Sequence, residues 1–568
     1  MKGFKHFAKR IKLYFRENLA HYQQLLWETS FFALLVFSLG GVILILTELG
    51  FERGVLSIEM YDSAFHYLLD AFLLLYLIAL FLFAMPGPRR PSKLSLTIKL
   101  VIVVFLAFQF LSLLPGRNIR IFHTEYTLEM LIKFSLILIV FLRNWSSLLQ
   151  GIYKRHIQSE KLFVFSFLFL IVIGAFLLML PASNTGEISV IDAFFTSVSA
   201  VCVTGLTVVD TASAFTWFGK FIILALIQLG GIGIMTFASF FASMGKSGMT
   251  LKERDALGHV VVSKNMKKLF TALFGVVFLT IFIEIIGAFT IYFQLDEAAF
   301  SDNFSRFSFA LFHAVSAFCN AGFSTATGGM TNEIFQSAWS IQFTIAMLFI
   351  FGGLGFFIIS NYSQRITIEI RNLMAKVKKE KKREIIANIL NINSRIVLRT
   401  TVILLLVGTF SFFILEYNGV LADMSFFEKL MTSFFSASTP RTAGFNTIDF
   451  AGLGNSTLLL IMLLMWIGAS PGSTGGGIKT TTLALVFLNA VSLGRGKNYI
   501  MFKNRQISRI SISRAFLIVT FSLIAIFIGS ILLAAFEPQV ELKALLFEAF
   551  SAFGTVGLSL NLTPIHQK

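Results

Sequence analysis

The sequence predicts an all-α integral membrane protein in which four membrane–pore loop–membrane repeats surround a pseudo-fourfold axis, preceded by about four extra transmembrane helices. Three observations carry this expectation: an apolar composition, a one-sided distribution of basic residues, and a glycine that recurs four times in one register. Of 568 residues, 56% are hydrophobic and only 14% charged, and 67 are phenylalanine. A soluble domain needs a charged surface over its core, so this balance points to lipid as the solvent. The net charge of +17 would suit nucleic acid only if the basic residues shared one face. They fall instead in short blocks between apolar runs, which excludes nucleic acid as a partner and leaves membrane lipid. Two cysteines cannot build a disulfide framework. No cleavable leader is evident, because 1–30 is basic and polar and no small-residue cleavage site follows the run 31–48.

A span takes about 20 mainly apolar residues. Runs of that kind lie at 31–48, 68–86, 97–115, 127–142, 162–181, 217–243, 269–293, 339–360, 398–416, 456–470 and 514–536. Between them are shorter apolar stretches at 193–206, 310–323, 432–445 and 545–558, each containing Ser, Thr and Gly. These are too short to cross, and irregular backbone at membrane depth is tolerated only inside protein or along a watery path. Four re-entrant loops satisfy that rule. Threading from an inner N-terminus puts 36 of the 47 Lys and Arg in the segments 1–30, 87–99, 143–161, 245–268, 363–399 and 493–514, all on one side. That is the positive-inside pattern, and it sets all four loops on the outer side.

The loops align on Gly205, Gly322, Gly444 and Gly557. Six residues earlier stand Ser199, Ser316, Ser438 and Ser551, and four before those stand Phe195, Phe312, Phe434 and Phe547. Each glycine is followed by Leu or Phe and then by a small polar residue: Thr207, Ser324, Asn446 or Ser559. A repeat at near-constant spacing implies a repeated architectural unit. A dehydrated cation needs backbone carbonyls turned toward it from several sides, and glycine permits the dihedrals this requires. The serine is expected to satisfy backbone groups near the end of a short pore helix. Glycines serving only close helix packing are the competing reading for any single site, but not for four in register.

The segments SAVCVTGLTVVD, SAFCNAGFST, STPRTAGFNTID and SAFGTVGLSL resemble the four filters of the Trk/Ktr/HKT superfamily of potassium transporters. The stretch GASPGSTGGGIKTTT at 468–482 resembles that family's sequence in the second span of its third repeat. The resemblance runs from about residue 160 to the end and implies repeats at 160–268, 269–396, 397–510 and 511–568, after an extension at 1–150. It implies K+ uptake, with Na+ as a second transported ion and no covalent cofactor, across the cytoplasmic (inner) membrane of a bacterium. It further implies a homodimer and a separate cytosolic ring of nucleotide-binding regulatory subunits, docked on the basic loop 363–399. Ion-binding residues would be Val203, Thr204 and Gly205, Asn320, Ala321 and Gly322, Thr442, Ala443 and Gly444, and Thr555, Val556 and Gly557. Sodium-favouring plant relatives carry serine at the first glycine, whereas Gly205 is intact here. A symporter coupled to Na+ or H+, and a non-conducting membrane sensor on the same fold, stay open as alternatives.

Gly472, Ser473, Thr474, Gly475, Gly476 and Gly477 interrupt an apolar span, and glycine weakens a helix by about 1 kcal/mol relative to alanine. The span should break there, and the resemblance implies a gating loop. A glycine-rich packing seam is the alternative; a phosphate loop is excluded by its spacing and intramembrane site. Lys479, beside the loop, would set a barrier to cations unless it snorkels to the surface. Glu284 is a second intramembrane charge, expected to pair with a basic group or line a crevice. Arg441 is expected to bond carbonyls behind the third loop. Cys202 and Cys319 read as small residues packing behind the loops, and His313 as a satisfied buried histidine. The tract KVKKEKKR (376–383) reads as an orientation signal meeting acidic headgroups. The first 150 residues lack arginines every third position, so voltage sensing is not expected. No nucleophile–base pattern or metal-ligand spacing appears, and no enzyme is expected. After Gly557 eleven residues remain, too few to cross a bilayer, so the fourth repeat is expected to lack its second helix and the chain to be a truncated version of a longer product.

Overall fold

Apolar runs bounded by cap and turn residues set the order of elements. The computed structural model describes residues 40, 42, 118–121, 124–127, 159–245, 260–336, 338–377, 391–497, 499–502 and 505–560. The chain divides into two compact units. In the first, Met1–Leu162 with Leu180–Ala182, strands β1 (Asn118–Ile121) and β2 (Thr124–Thr127) form an antiparallel hairpin with Asn118 opposite Thr127. The expected spans between 31 and 142 fall almost wholly outside the described residues, as do 378–383 of the basic tract and the segment 561–568.

The second unit is helical, and a long helix followed by a short one and a glycine loop recurs four times along it. The first set is α1 (Ser159–Leu178), α2 (Val190–Val201) and the second long helix α3 (Trp217–Gly245). Next come α4 (Val260–Gln294), α5 (Asn303–Phe318) and α6 (Trp339–Leu354), continued by α7 (Phe356–Val377). The third set is α8 (Ile392–Leu415), α9 (Phe426–Ser438), α10 (Asn455–Trp466) and α11 (Thr480–Gly494). A two-residue hairpin, β3 (Met501–Phe502) with β4 (Arg505–Gln506), leads to α12 (Arg509–Phe536) and α13 (Leu542–Gly554).

Length separates the two kinds of helix. Among the described residues, four stretches are long and apolar enough to cross a membrane: Trp217–Thr236, Phe274–Gln294, Ile392–Leu415 and Arg509–Phe536. The short helices α2, α5, α9 and α13 have 12, 16, 13 and 13 residues. At 1.5 Å per residue they reach about 18–24 Å, less than the hydrocarbon thickness of about 30 Å. The long helix α12 turns Leu517, Phe521, Phe527 and Ile531 outward, as a lipid-facing surface does, whereas Phe318, Phe435 and Phe547 on the short helices are buried. One core cluster joins α4, α5 and α6 through Ile291, Phe309, Ile345 and Phe349. Another joins α8, α10 and α13 through Phe412, Leu458, Ile461, Met465 and Phe547.

Two spans break. The apolar run that begins with α10 stops at Trp466 and resumes at Thr480, as its glycine run predicts. The span expected over 339–360 ends earlier, at Leu354: the chain turns by 100° into α7 through Gly355, whose φ is 80°. Hydropathy missed this turn because residues on both sides of it are apolar.

Candidate ion pathway

Three of the four short helices, α2, α5 and α9, start on a side-chain cap, α13 starts at Glu541 without one, and all four end at a glycine loop. Ser189 accepts from the Asp192 backbone N–H, Asp302 from that of Ser305, and Ser425 forms a reciprocal capping box with Glu428. These caps satisfy N-terminal donors that would otherwise be orphaned. The C-terminal ends of α2, α5, α9 and α13 run directly into the loops bearing Gly205, Gly322, Gly444 and Gly557. Helix C-termini carry partial negative charge, so four of them favour a cation between the loops.

The loop backbones share one conformation. Val203, Asn320, Thr442 and Thr555 all have positive φ, between 49° and 82°, and they are the four such non-glycine residues among those described. Two residues later the glycines have φ of 85°, 70°, 77° and 89°, while the residue between them is not left-handed. In extended backbone successive carbonyls point to opposite sides; alternating the sign of φ brings them to the same side. Left-handed φ at non-glycine residues costs about 1–3 kcal/mol each and persists where surroundings over-determine it. Here the surroundings do so. The Asn320 amide donates to the Phe349 carbonyl and to Thr442 Oγ1, each at 3.2 Å.

The four loops close on one another in order. A Cβ added to Gly205 would lie within 3.0 Å of the Ala321 carbonyl oxygen, one on Gly322 that of Ala443, one on Gly444 that of Val556, and one on Gly557 that of Thr204. Each glycine therefore faces the carbonyl preceding the next glycine, and the fourth loop returns to the first. All twelve residues expected to bind ions lie in these four segments.

The hydroxyl expected six residues before each glycine varies in its role. Ser316 Oγ donates to the Phe323 carbonyl at 2.8 Å, as expected. In the third loop Ser438 turns back to Phe434, and Thr439 makes the equivalent bond to the Phe445 carbonyl at 2.7 Å. The backbone slips with it: Thr204, Ala321 and Val556 N–H groups bond to Ser199, Ser316 and Ser551, but Ala443 bonds to Thr439. Ser199 and Ser551 are buried with hydroxyls that have no hydrogen-bond partner among the described residues. His313 is satisfied through the Phe309 carbonyl at 2.8 Å and Ser324 Oγ at 2.9 Å. Arg441 does not behave as expected, since its buried Nε meets no acceptor among the described residues. Glu284, 3% exposed, pairs with no Lys or Arg among the described residues; its partners are Gln228 and Cys319.

The loop between α10 and α11 packs under the glycine loops. Thr474 Oγ1 donates to Asn320 Oδ1 at 3.0 Å, and the Gly476 N–H to Thr555 Oγ1 at 3.0 Å. Gly475 lies tight against Thr442. Lys479 does not project freely: its ammonium folds back onto the Gly475 and Gly476 carbonyls. The Gly355 turn touches the loop at Gly472, and the Ser470 N–H donates to the Gly353 carbonyl at 3.0 Å. The partners of Thr474, Gly475, Gly476 and Ser470 were not legible in the sequence, because they lie up to 154 positions apart. A cavity of about 350 Å³ is lined by the four glycines with Thr207, Asp210, Ser324, Asn446 and Ser559. Another, of about 580 Å³, is lined by Gly472, Pro471, Thr481, Ser360 and Asn361.

Short helices running into a closed ring of glycine loops, among helices apolar enough to cross a membrane, define a membrane transporter. The chain belongs to the Trk/Ktr family: the TrkH cation transport protein model matches residues 136–566. It is 37% identical over 402 residues to the Ktr system potassium uptake protein B of Bacillus subtilis, covering 70% of this chain and 84% of that one. It is 33% identical over 422 residues to the potassium/sodium uptake protein NtpJ of Enterococcus hirae, covering 72% and 87%. The crystal structure of the potassium transporter TrkH from Vibrio parahaemolyticus has a similar fold, with a TM-score of 0.53 at 20% identity over 76% of this chain and 84% of that one.

Proposed function

We propose that this chain carries K+ inward across a bacterial cytoplasmic membrane through the ring of four glycine loops. The observation that carries the reading is the cyclic closure of Gly205, Gly322, Gly444 and Gly557 on one another's neighbouring carbonyls. Carbonyls from residues 203–205, 320–322, 442–444 and 555–557 replace the water around a dehydrated ion. Thr207, Ser324, Asn446, Ser559 and Asp210 line the cavity from which the ion arrives. The names of the Bacillus and Enterococcus relatives support potassium as the cargo, with sodium as a second ion.

The loop 472–477, with Lys479, gates the path from beneath. Its bonds to Asn320 and Thr555 hold it against the ring, and its glycines let it move away. Two copies pair as a homodimer in lipid, and a separately encoded cytosolic nucleotide-binding ring regulates them; both follow from the family resemblance. The test is uptake of radioactive rubidium by bacteria lacking their own potassium systems. Expression of this chain restores saturable uptake in which K+ competes better than Na+. Correct membrane insertion without uptake would overturn the reading, and equal competition by both ions would overturn its selectivity.

A further inference from the structure

A carboxyl group stands behind the second glycine loop at membrane depth. Glu284 lies within the apolar stretch Phe274–Gln294 of α4 and is 3% exposed. Its Oε2 accepts from Gln228 Nε2 at 2.9 Å, and its Oε1 accepts from the Cys319 thiol at 3.6 Å. Gln228 belongs to α3, in the preceding repeat, and its own Oε1 faces the same thiol at 3.9 Å. Three elements therefore meet at one carboxyl. Among the described residues no charged group explains its presence: α6 carries none, Lys220 of α3 donates to the Ala212 carbonyl, and Arg306 of α5 is held by Glu297 and the Leu295 carbonyl.

Ionisable residues inside the membrane are rare because desolvation opposes them, and they mark functional sites by default. What Glu284 touches is the anchor of a glycine loop, not the path itself. Cys319 terminates α5, its N–H closing the last turn on the Val315 carbonyl at 2.9 Å. The next residue is Asn320, whose left-handed backbone opens the loop and whose amide reaches Phe349, Thr442 and Thr474. A displaced Cys319 moves Asn320, and with it the Ala321 carbonyl that faces Gly205.

We propose that Glu284 is a positioning residue for ion selectivity: by bridging Gln228 and Cys319 it fixes the end of α5, and so the height of the Asn320–Gly322 segment in the ring. The inference rests on the reading of that ring as the selective site.

The test uses the full chain in lipid vesicles and measures the K+ over Na+ preference by competition against rubidium uptake. Glu284→Leu keeps the volume but removes both acceptors, and it lowers the preference about tenfold, equivalent to about 1.4 kcal/mol of differential binding. Glu284→Gln restores the preference to within about twofold, because an amide keeps an acceptor for the thiol and a donor for a turned-over Gln228. Cys319→Ala cuts only the link to the loop and lowers the preference in the same direction, which decides the matter if Glu284→Leu does not insert. Gly205→Ser is the reference variant that perturbs the ring itself. Wild-type preference in Glu284→Leu and Cys319→Ala, with loss in Gly205→Ser, overturns the positioning role alone. Unchanged preference in Gly205→Ser overturns the ring reading and this inference with it. A Glu284→Gln variant as poor as the leucine one also overturns the bridge, since it would mean that charge is what matters.

Discussion

Replacing Gly205 by serine puts a side chain where the ring has no room. Its φ is 85°, a conformation that costs a non-glycine residue about 1–3 kcal/mol. The added Cβ also meets the Ala321 carbonyl oxygen and lies 3.1 Å from Gly322 Cα. Both obstacles are backbone of the next loop, so neither can rotate away as a flexible side chain would. The first and second loops must separate, and the carbonyls from 203–205 and 320–322 leave their positions. A change of only about 1.4 kcal/mol in the relative binding of two ions shifts their ratio tenfold, so Gly205→Ser lowers the preference for K+ over Na+ by about tenfold or more. Reversal potentials under bi-ionic K+ and Na+ conditions measure it directly. Gly186→Ala is the control, because nothing lies within 4 Å of a Cβ there, and it leaves the ratio unchanged. An unaltered ratio in the serine variant, with normal insertion, would refute the claim that Gly205 lines the selective ring.

Other variants separate the gate from the ring. Removing two residues from 472–477 raises basal rubidium flux and leaves the K+ over Na+ ratio intact; Lys479→Met does the same by releasing the clamp on the Gly475 and Gly476 carbonyls. Reduced flux in both, at normal insertion, would mean that the loop supports the path instead of closing it. Thr474→Val deletes the bond to Asn320, worth about 1 kcal/mol, and raises basal flux about fivefold; unchanged flux would show that this bond does not hold the loop. Glu416, 3% exposed, accepts from Gly454 N–H, Val420 N–H and Thr457 Oγ1. Glu416→Leu leaves those donors unmatched and lowers thermal stability in detergent by about 2–3 kcal/mol without altering ion preference, and an unshifted melting curve would contradict that role.

Much of this architecture was legible because the same backbone demand recurs four times. Glycine at positions 205, 322, 444 and 557 answers a left-handed φ and a close carbonyl, so one residue type records the ring in every repeat. The left-handed residue two places earlier left no such record. It is Val203, Asn320, Thr442 and Thr555, four side chains chosen for different neighbours, and the last three are held by partners on remote elements. The slip from Ser438 to Thr439 was hidden for the opposite reason, since the serine register persists while its job passes to the next residue. Gly355 was lost inside an apolar run, because hydropathy measures solvent preference and not direction. Glu284 announced itself as an anomaly, but Gln228 and Cys319 are polar groups of ordinary appearance, and only the fold brings them together.

The ring can be tested by locating the ion itself. Crystals of the protein grown with Rb+ or Tl+ should give anomalous density on the axis between Gly205, Gly322, Gly444 and Gly557, within coordinating distance of carbonyls from all four loops. Replacement of the salt by Na+ should abolish that density. A heavy-ion peak elsewhere in the membrane region, with nothing between the four glycines, would contradict the account.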